Sequence, residues 1–378
     1  MRYQSFWTSI IVGIVGFIPL SAKVNKSTTV NIQVAILFDT SNSMDGLINQ
    51  AKSRLWNVVN TLTTLRYNGK APNIEIALYE YGNDWIPSNK NYIRQVVPFS
   101  TDLDLLSEKL FSLRTNGGSE YCGAVIGDAL HNLRWQDGKS DMKLIYIAGN
   151  EPFDQGPISC KETIREARRN NIFVNTILCG DRDRDEISGW KDGARLGEGE
   201  FFIINADKKI IYIETPYDSE IDRLNINLNG TYMGYGNLGK AKKEIQHMQD
   251  MNAATLSMSN KIERAVAKSK SVYKNTDWDI IDQYKLNPDI FLTISDTDLP
   301  DALKGKNIED KKSIVKKNIE EREKTSAQIN ELSAKRQQYI EAKSKLEGRT
   351  NDDDLGWAIE SSILKIAGSL GYNQMKSP

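Results

Sequence analysis

The sequence predicts a doubly wound, mostly parallel α/β sheet followed by a mainly α-helical C-terminal region. Short apolar runs rich in Val, Ile and Leu recur between residues 31 and 204. Each has the length of a buried strand, and stretches of helical periodicity separate them. Beyond Thr215-Pro216 the strand-like runs stop and helical spacing takes over.

Residues 31–38, NIQVAILF, show the β-branched pattern of a strand buried on both faces. A polar loop, DTSNSMDG, follows. Helical spacing then runs from about Leu47 to Leu65, with Ile48, Ala51, Leu55, Val58, Val59 and Leu62 on one face. Residues 74–81 read as a second strand. Residues 92–99 read as a third, shorter and more polar, which suits an edge. Helices are expected at 103–113 and 124–133, a strand at 143–149, a helix at 160–171 and a strand at 172–180. A short helix near 186–196 and a strand at 200–204 close the set. Such alternation implies right-handed crossovers, with ligands held at the carboxyl ends of the strands. Loops 39–46, 115–122 and 149–159 then share one rim.

Past residue 216 the helical spacing is interrupted by NLNGTYMGYGNLG. From Glu309 to Glu347 the chain is dominated by Lys, Glu, Arg, Gln and Ser, with no Pro or Gly. That is one long solvated helix of about 58 Å. Its sparse stripe (Val315, Ile319, Arg322, Ile329, Leu332, Tyr339, Leu346) suits either self-association through 309–347 as a coiled coil or docking on 216–275. Residues 355–372 form a further amphipathic stretch. The expected division is 1–22, 31–215, 216–303 and 304–378.

The 378 residues leave room for two domains, at roughly 150 residues each. With 49 basic and 50 acidic residues the net charge is −1, so no nucleic-acid footprint is expected. There are two histidines, His131 and His247, each on a helical stretch and read as surface or packing residues. Met1-Arg2, the apolar run from Phe6 to Leu20 and the small residues Ser21-Ala22 read as an export signal. The run falls short of the about 20 residues a membrane span needs. No cysteine follows it, so no lipid anchor is expected. The expected location is periplasmic, envelope or extracellular. Export permits disulfides. Of Cys122, Cys160 and Cys179, the expected pair is Cys122–Cys160, which would tie two rim loops together. The acidic run Asp183–Glu186 lacks the spacing of an EF-hand loop.

The chemistry concentrates after the first strand. Asp39, Ser41 and Ser43 place oxygens at alternate positions of a tight loop, where they can converge. Hard oxygen donors suit Mg²⁺, with Mn²⁺ or Ca²⁺ as alternatives. A second loop, Asn116-Gly117-Gly118-Ser119-Glu120, has glycines that permit close approach. The competing reading of both loops is helix N-capping.

Asp39, Ser41 and Ser43 match a D-x-S-x-S motif, and in this setting residues 31–215 resemble the von Willebrand factor A family, whose fold is Rossmann-like. Ser119 matches the family's second-loop threonine. The resemblance implies a metal-ion-dependent adhesion site in which Ser41, Ser43 and Ser119 ligate the ion. An open position then takes a carboxylate from a protein partner. It implies binding rather than catalysis. One element departs: the family's T-D-G-type turn is replaced by Ala148-Gly149-Asn150-Glu151, and Gly149 has no side-chain oxygen. Glu151 is expected to replace the missing carboxylate, with Asn150 as the alternative. The leading expectation is an exported, non-enzymatic adhesion or envelope scaffold protein. A phosphatase-like hydrolase would need a second aspartate where Ser41 stands. A metal-free coiled-coil scaffold is the remaining alternative.

Overall fold

The computed structural model describes residues 30–180, 186–348 and 354–375. The expected export signal and most of the 183–186 acidic run lie outside them. The first part alternates as expected: β1 Asn31–Asp39, α1 Asp45–Thr64, β2 Leu65–Arg66, β3 Asn73–Tyr81, β4 Ile93–Ser100, α2 Leu103–Ser112 and α3 Cys122–Asn132. It continues with β5 Met142–Gly149, α4 Cys160–Arg169, β6 Ile172–Cys179, α5 Ile187–Leu196 and β7 Glu198–Ile204. The second part holds α6 Asp218–Gly230, α7 Gly236–Leu256, α8 Met258–Lys268, α9 Ile280–Leu286, α10 Ile308–Leu346, α11 Leu355–Ser369 and β8 Asn373–Gln374.

Six strands form one sheet in the order β4-β3-β1-β5-β6-β7. Only the edge strand β4 runs antiparallel. Alternate residues of β1 face opposite sides of the sheet. Ile32, Val34, Ile36 and Phe38 join the core with Leu55 and Leu62 of α1 and Ile363 of α11. Ala35 and Leu37 join the opposite core, with Val125 of α3, Ile164 of α4 and Trp190 of α5. Asp39 pairs with Tyr81 and Phe38 with Ala148, so β1, β3 and β5 end at a common rim.

The C-terminal helix returns to this sheet. Asp354 caps α11 by accepting from Trp357 N and binds Arg54 of α1 at 2.6 Å. Tyr146 Oη of β5 meets Ser362 Oγ at 2.6 Å, and Trp357 packs edge-on to Phe202 of β7. β8 pairs with β2 beyond it.

The helical part is joined to α1 and α2 through a buried charge network. Arg264 of α8 bonds Asp104 of α2 at 2.7 Å and Asp250 of α7 at 2.5 Å. Lys268 bonds Asp250 at 2.8 Å, Tyr273 Oη donates to Asp104, and Arg264 lies over the Trp56 ring of α1. The long helix docks within the chain. Its buried stripe is Val315, Arg322, Thr325, Ile329 and Arg336. Arg322 reaches Asp279 and Asp282, and Arg336 reaches Asp218 of α6. The face offered for self-association through 309–347 is thus spent internally as far as Arg336; Leu346, beyond it, is 88% exposed.

Candidate metal centre

The rim loops carry the predicted residues. Asp39, the last residue of β1, is fully buried, and its Oδ1 accepts from Ser41 N at 2.7 Å. This turns the loop so that Ser41 Oγ and Ser43 Oγ lie 3.4 Å apart. Neither the short helical turn Asn42–Met44 nor α1 receives a side-chain cap. The capping reading therefore fails for both hydroxyls.

The second loop is drawn in by its glycines. Asn116 N donates to Thr40 O, and Asp84 N donates to Gly117 O. A Cβ at Gly118 would lie 2.4 Å from Gly82 O, so no side chain fits between the loops. Ser119 is half-buried and forms no hydrogen bond with the described residues. Glu120 is the residue this loop delivers. It is 5% exposed, and α3 begins after it without a side-chain cap. Its carboxyl faces that of Asp39 at hydrogen-bonding range, and the Ser41 hydroxyl reaches both.

Burial raises both acids. Asp39 is pushed up to about 6, chiefly by burial. Glu120 is pushed up to about 9, by burial first and then by the Asp39 charge. Two carboxyls so close cannot both ionise cheaply without a counter-charge.

The third loop is closely packed at Gly149. A Cβ at Gly149 would lie 2.5 Å from Tyr81 Oη and 3.2 Å from Asp39, so the aspartate position is filled by the tyrosine. Tyr81 Oη donates to Ala148 O at 3.1 Å. Burial holds its phenol well above the usual range, so it stays neutral. Asn150 Nδ2 donates to Ser43 Oγ at 3.0 Å. Glu151 follows Asn150 on the same loop. Its carboxylate accepts from Gln155 at 3.4 Å, and it acts on Asp39 and Glu120 through its charge.

The donor set fits a hard cation. Asp39 Oδ2, Glu120 Oε2 and Asn150 Oδ1 are buried without a hydrogen-bond partner. They accompany the two uncapping hydroxyls. Among the described residues no group of three or more His, Cys, Asp or Glu is placed to hold a metal. A site here would combine two carboxylates with neutral oxygens, which suits an ion that keeps waters, as Mg²⁺ does.

The expected Cys122–Cys160 disulfide is not formed, and all three cysteines are buried. Cys122 Sγ donates to Tyr81 Oη at 3.8 Å and Cys160 Sγ to Phe153 O at 2.6 Å. Each thiol is turned to its own partner, and burial pushes both above the usual thiol range.

The parallel sheet and its oxygen-lined rim define an α/β domain with a candidate cation site at the carboxyl ends of its strands. Residues 33–210 match the family model of the von Willebrand factor type A domain. Similar solved structures include the conserved hypothetical protein BatB from Bacteroides thetaiotaomicron, 17% identical, covering 46% of this chain and 90% of that one, TM-score 0.36. Proximal thread matrix protein 1 from the mussel byssus, with a zinc-occupied MIDAS motif, is 13% identical and covers 48% of this chain, TM-score 0.38. This chain spans 43% of that mussel protein's length. The von Willebrand factor domain of the type V pilus tip protein Mfa5 from Porphyromonas gingivalis is 12% identical, covering 47% of this chain and 90% of that one, TM-score 0.34. No curated protein matches the chain. Among the described residues no helix is long and apolar enough to cross a membrane.

Proposed function

We propose that this domain holds a divalent cation at its rim and binds a protein partner through it, as part of an exported adhesion or scaffold protein. Mg²⁺ is the first candidate, before Mn²⁺ and Ca²⁺. The observation that carries the reading is the trio of partnerless buried oxygens on Asp39, Glu120 and Asn150, set around two hydroxyls that cap nothing. Each such oxygen costs roughly 1–3 kcal/mol when left unpaired. Ser41 and Ser43 supply the hydroxyl ligands. Asp39 and Glu120 balance the charge, directly or through water. Ser119 and Glu151 stand at the margin, where each can hold a water. A bound cation would offer its open position to a partner carboxylate. No hydrolytic step is required of these residues, and the reading is of a non-enzymatic protein.

The test is titration of Mn²⁺ against the full chain, followed by the electron paramagnetic resonance signal of the free ion. Wild type removes the signal stoichiometrically, and the Ser41→Ala/Ser43→Ala variant leaves it. Wild type that removes no signal at millimolar Mn²⁺ rules out a cation site.

A further inference from the structure

Loop 82–92, between β3 and β4, is fastened to the candidate metal loops. Asn83 Nδ2 donates to Thr40 Oγ1 at 3.3 Å and to Arg114 O at 3.0 Å, while Asn83 Oδ1 accepts from Trp85 N at 3.0 Å. Asn91 and Tyr92 adopt left-handed φ angles of 53° and 56°. Non-glycine residues hold that conformation only where the surroundings enforce it. Tyr92 is braced edge-on against Tyr121, their centroids 5.8 Å apart, and Tyr121 directly follows Glu120. The loop is therefore built. Yet it presents Trp85 at the rim with the residue 69% exposed.

A groove of about 820 Å³ descends from this point between the loop and α3. Ile158, from the loop after β5, stands exposed at its other lip. Lys90, Arg94, His131 and Asp128 line it. Arg94 pairs with Glu80 and His131 with Glu166. Lys90 is exposed and has no ion-pair partner among the described residues. The groove thus offers apolar surface at its lips, with the Lys90 ammonium exposed on the loop side and the Asp128 carboxylate on the α3 wall. Loop 82–92, which forms its upper wall, is bonded to both candidate metal loops, through Asn83 to Thr40 and through Asp84 N to Gly117 O.

We propose that this groove receives an extended acidic–apolar segment of the protein partner. An apolar side chain packs between Trp85 and Ile158, and an acidic side chain reaches Lys90. The proposal rests on the cation-site reading for the carboxylate that precedes this segment. An exposed, well-held tryptophan is the kind of residue that anchors an interface, because it buries a large area at little entropic cost.

The test is selection of a randomised peptide library displayed on phage against the full chain in Mg²⁺, with Trp85→Ala as the counter-target. Selected peptides are then measured by fluorescence anisotropy. Trp85 and Lys90 are exposed, so Trp85→Ala and Lys90→Glu retain the wild-type melting temperature. The expected result is an acidic–apolar consensus whose affinity falls at least about tenfold in Trp85→Ala and also falls in Lys90→Glu. No enrichment over the counter-target, or peptides indifferent to Trp85→Ala, overturns the groove. Peptides lost in Trp85→Ala but indifferent to chelator and to Ser41→Ala keep the groove and overturn the cation reading. Peptides with the reverse pattern do the opposite.

Discussion

The carboxyls of Asp39 and Glu120 face one another across the rim, with the Ser41 hydroxyl within reach of both. Asp39 ends the central strand, while Glu120 arrives on a loop pressed against Gly82. Their juxtaposition sets the behaviour of the whole rim.

Its first consequence is a pH dependence in chelator. Both acids have folded pKa values above their ordinary ones, about 6 for Asp39 and about 9 for Glu120. The protonated forms are therefore favoured by the fold. The contribution is fully present below about 4 and is lost as pH rises toward about 9. The melting temperature of chelated protein should fall over that window. Glu120→Gln should flatten the fall, and Mg²⁺ should oppose it. A melting temperature that rises steadily from pH 5 to 9 would contradict the pairing.

Gly149 is held by Tyr81. Gly149→Ala should destabilise by ~1–3 kcal/mol through overpacking, because its Cβ would lie 2.5 Å from Tyr81 Oη. Tyr81→Phe removes that oxygen. In a double-mutant cycle by urea denaturation, the Gly149→Ala cost should shrink in the Tyr81→Phe background. Additive costs would place the strain elsewhere.

Arg264 joins the helical part to the sheet. Arg264→Met strands Asp104 and Asp250 without their common partner. The expected cost is about 3–5 kcal/mol, the range for breaking a buried ion pair. A loss below about 1 kcal/mol in chemical denaturation would show that these helices are not joined to the sheet through this contact.

The two ends of the C-terminal region should respond differently. Ile363 is fully buried and Leu346 is 88% exposed. Ile363→Ala should cost about 2–5 kcal/mol, and Leu346→Ala should stay within about 0.5 kcal/mol. Equal costs would contradict the docking of α11 on the sheet.

Much of this was legible in the sequence. The strands of the sheet announced themselves as apolar runs, and the first metal loop as alternating oxygens after the first of them. The edge position of β4 followed from its polar residues. Glu120 lies on an expected site loop but is not among the expected ligands, because its place depends on two distant loops meeting at Gly82 and Gly118. An acid directly beyond a glycine pair was the available signal. Tyr81 sits on a neighbouring strand, so nothing near Gly149 in sequence tells that a phenol fills its space. The stripe of Val315, Arg322 and Ile329 could be read from spacing, but burial of Arg336 could not. It depends on carboxylates supplied by other helices. Amphipathicity in 355–372 signalled burial without saying against what.

The most direct test of the account is calorimetric titration of Mg²⁺ into the full chain, comparing wild type, Glu120→Gln and Glu151→Gln. The account predicts saturable binding with proton release in wild type, loss of affinity in Glu120→Gln and little change in Glu151→Gln. Binding that survives Glu120→Gln but is abolished by Glu151→Gln would contradict it, as would no binding by wild type at millimolar Mg²⁺.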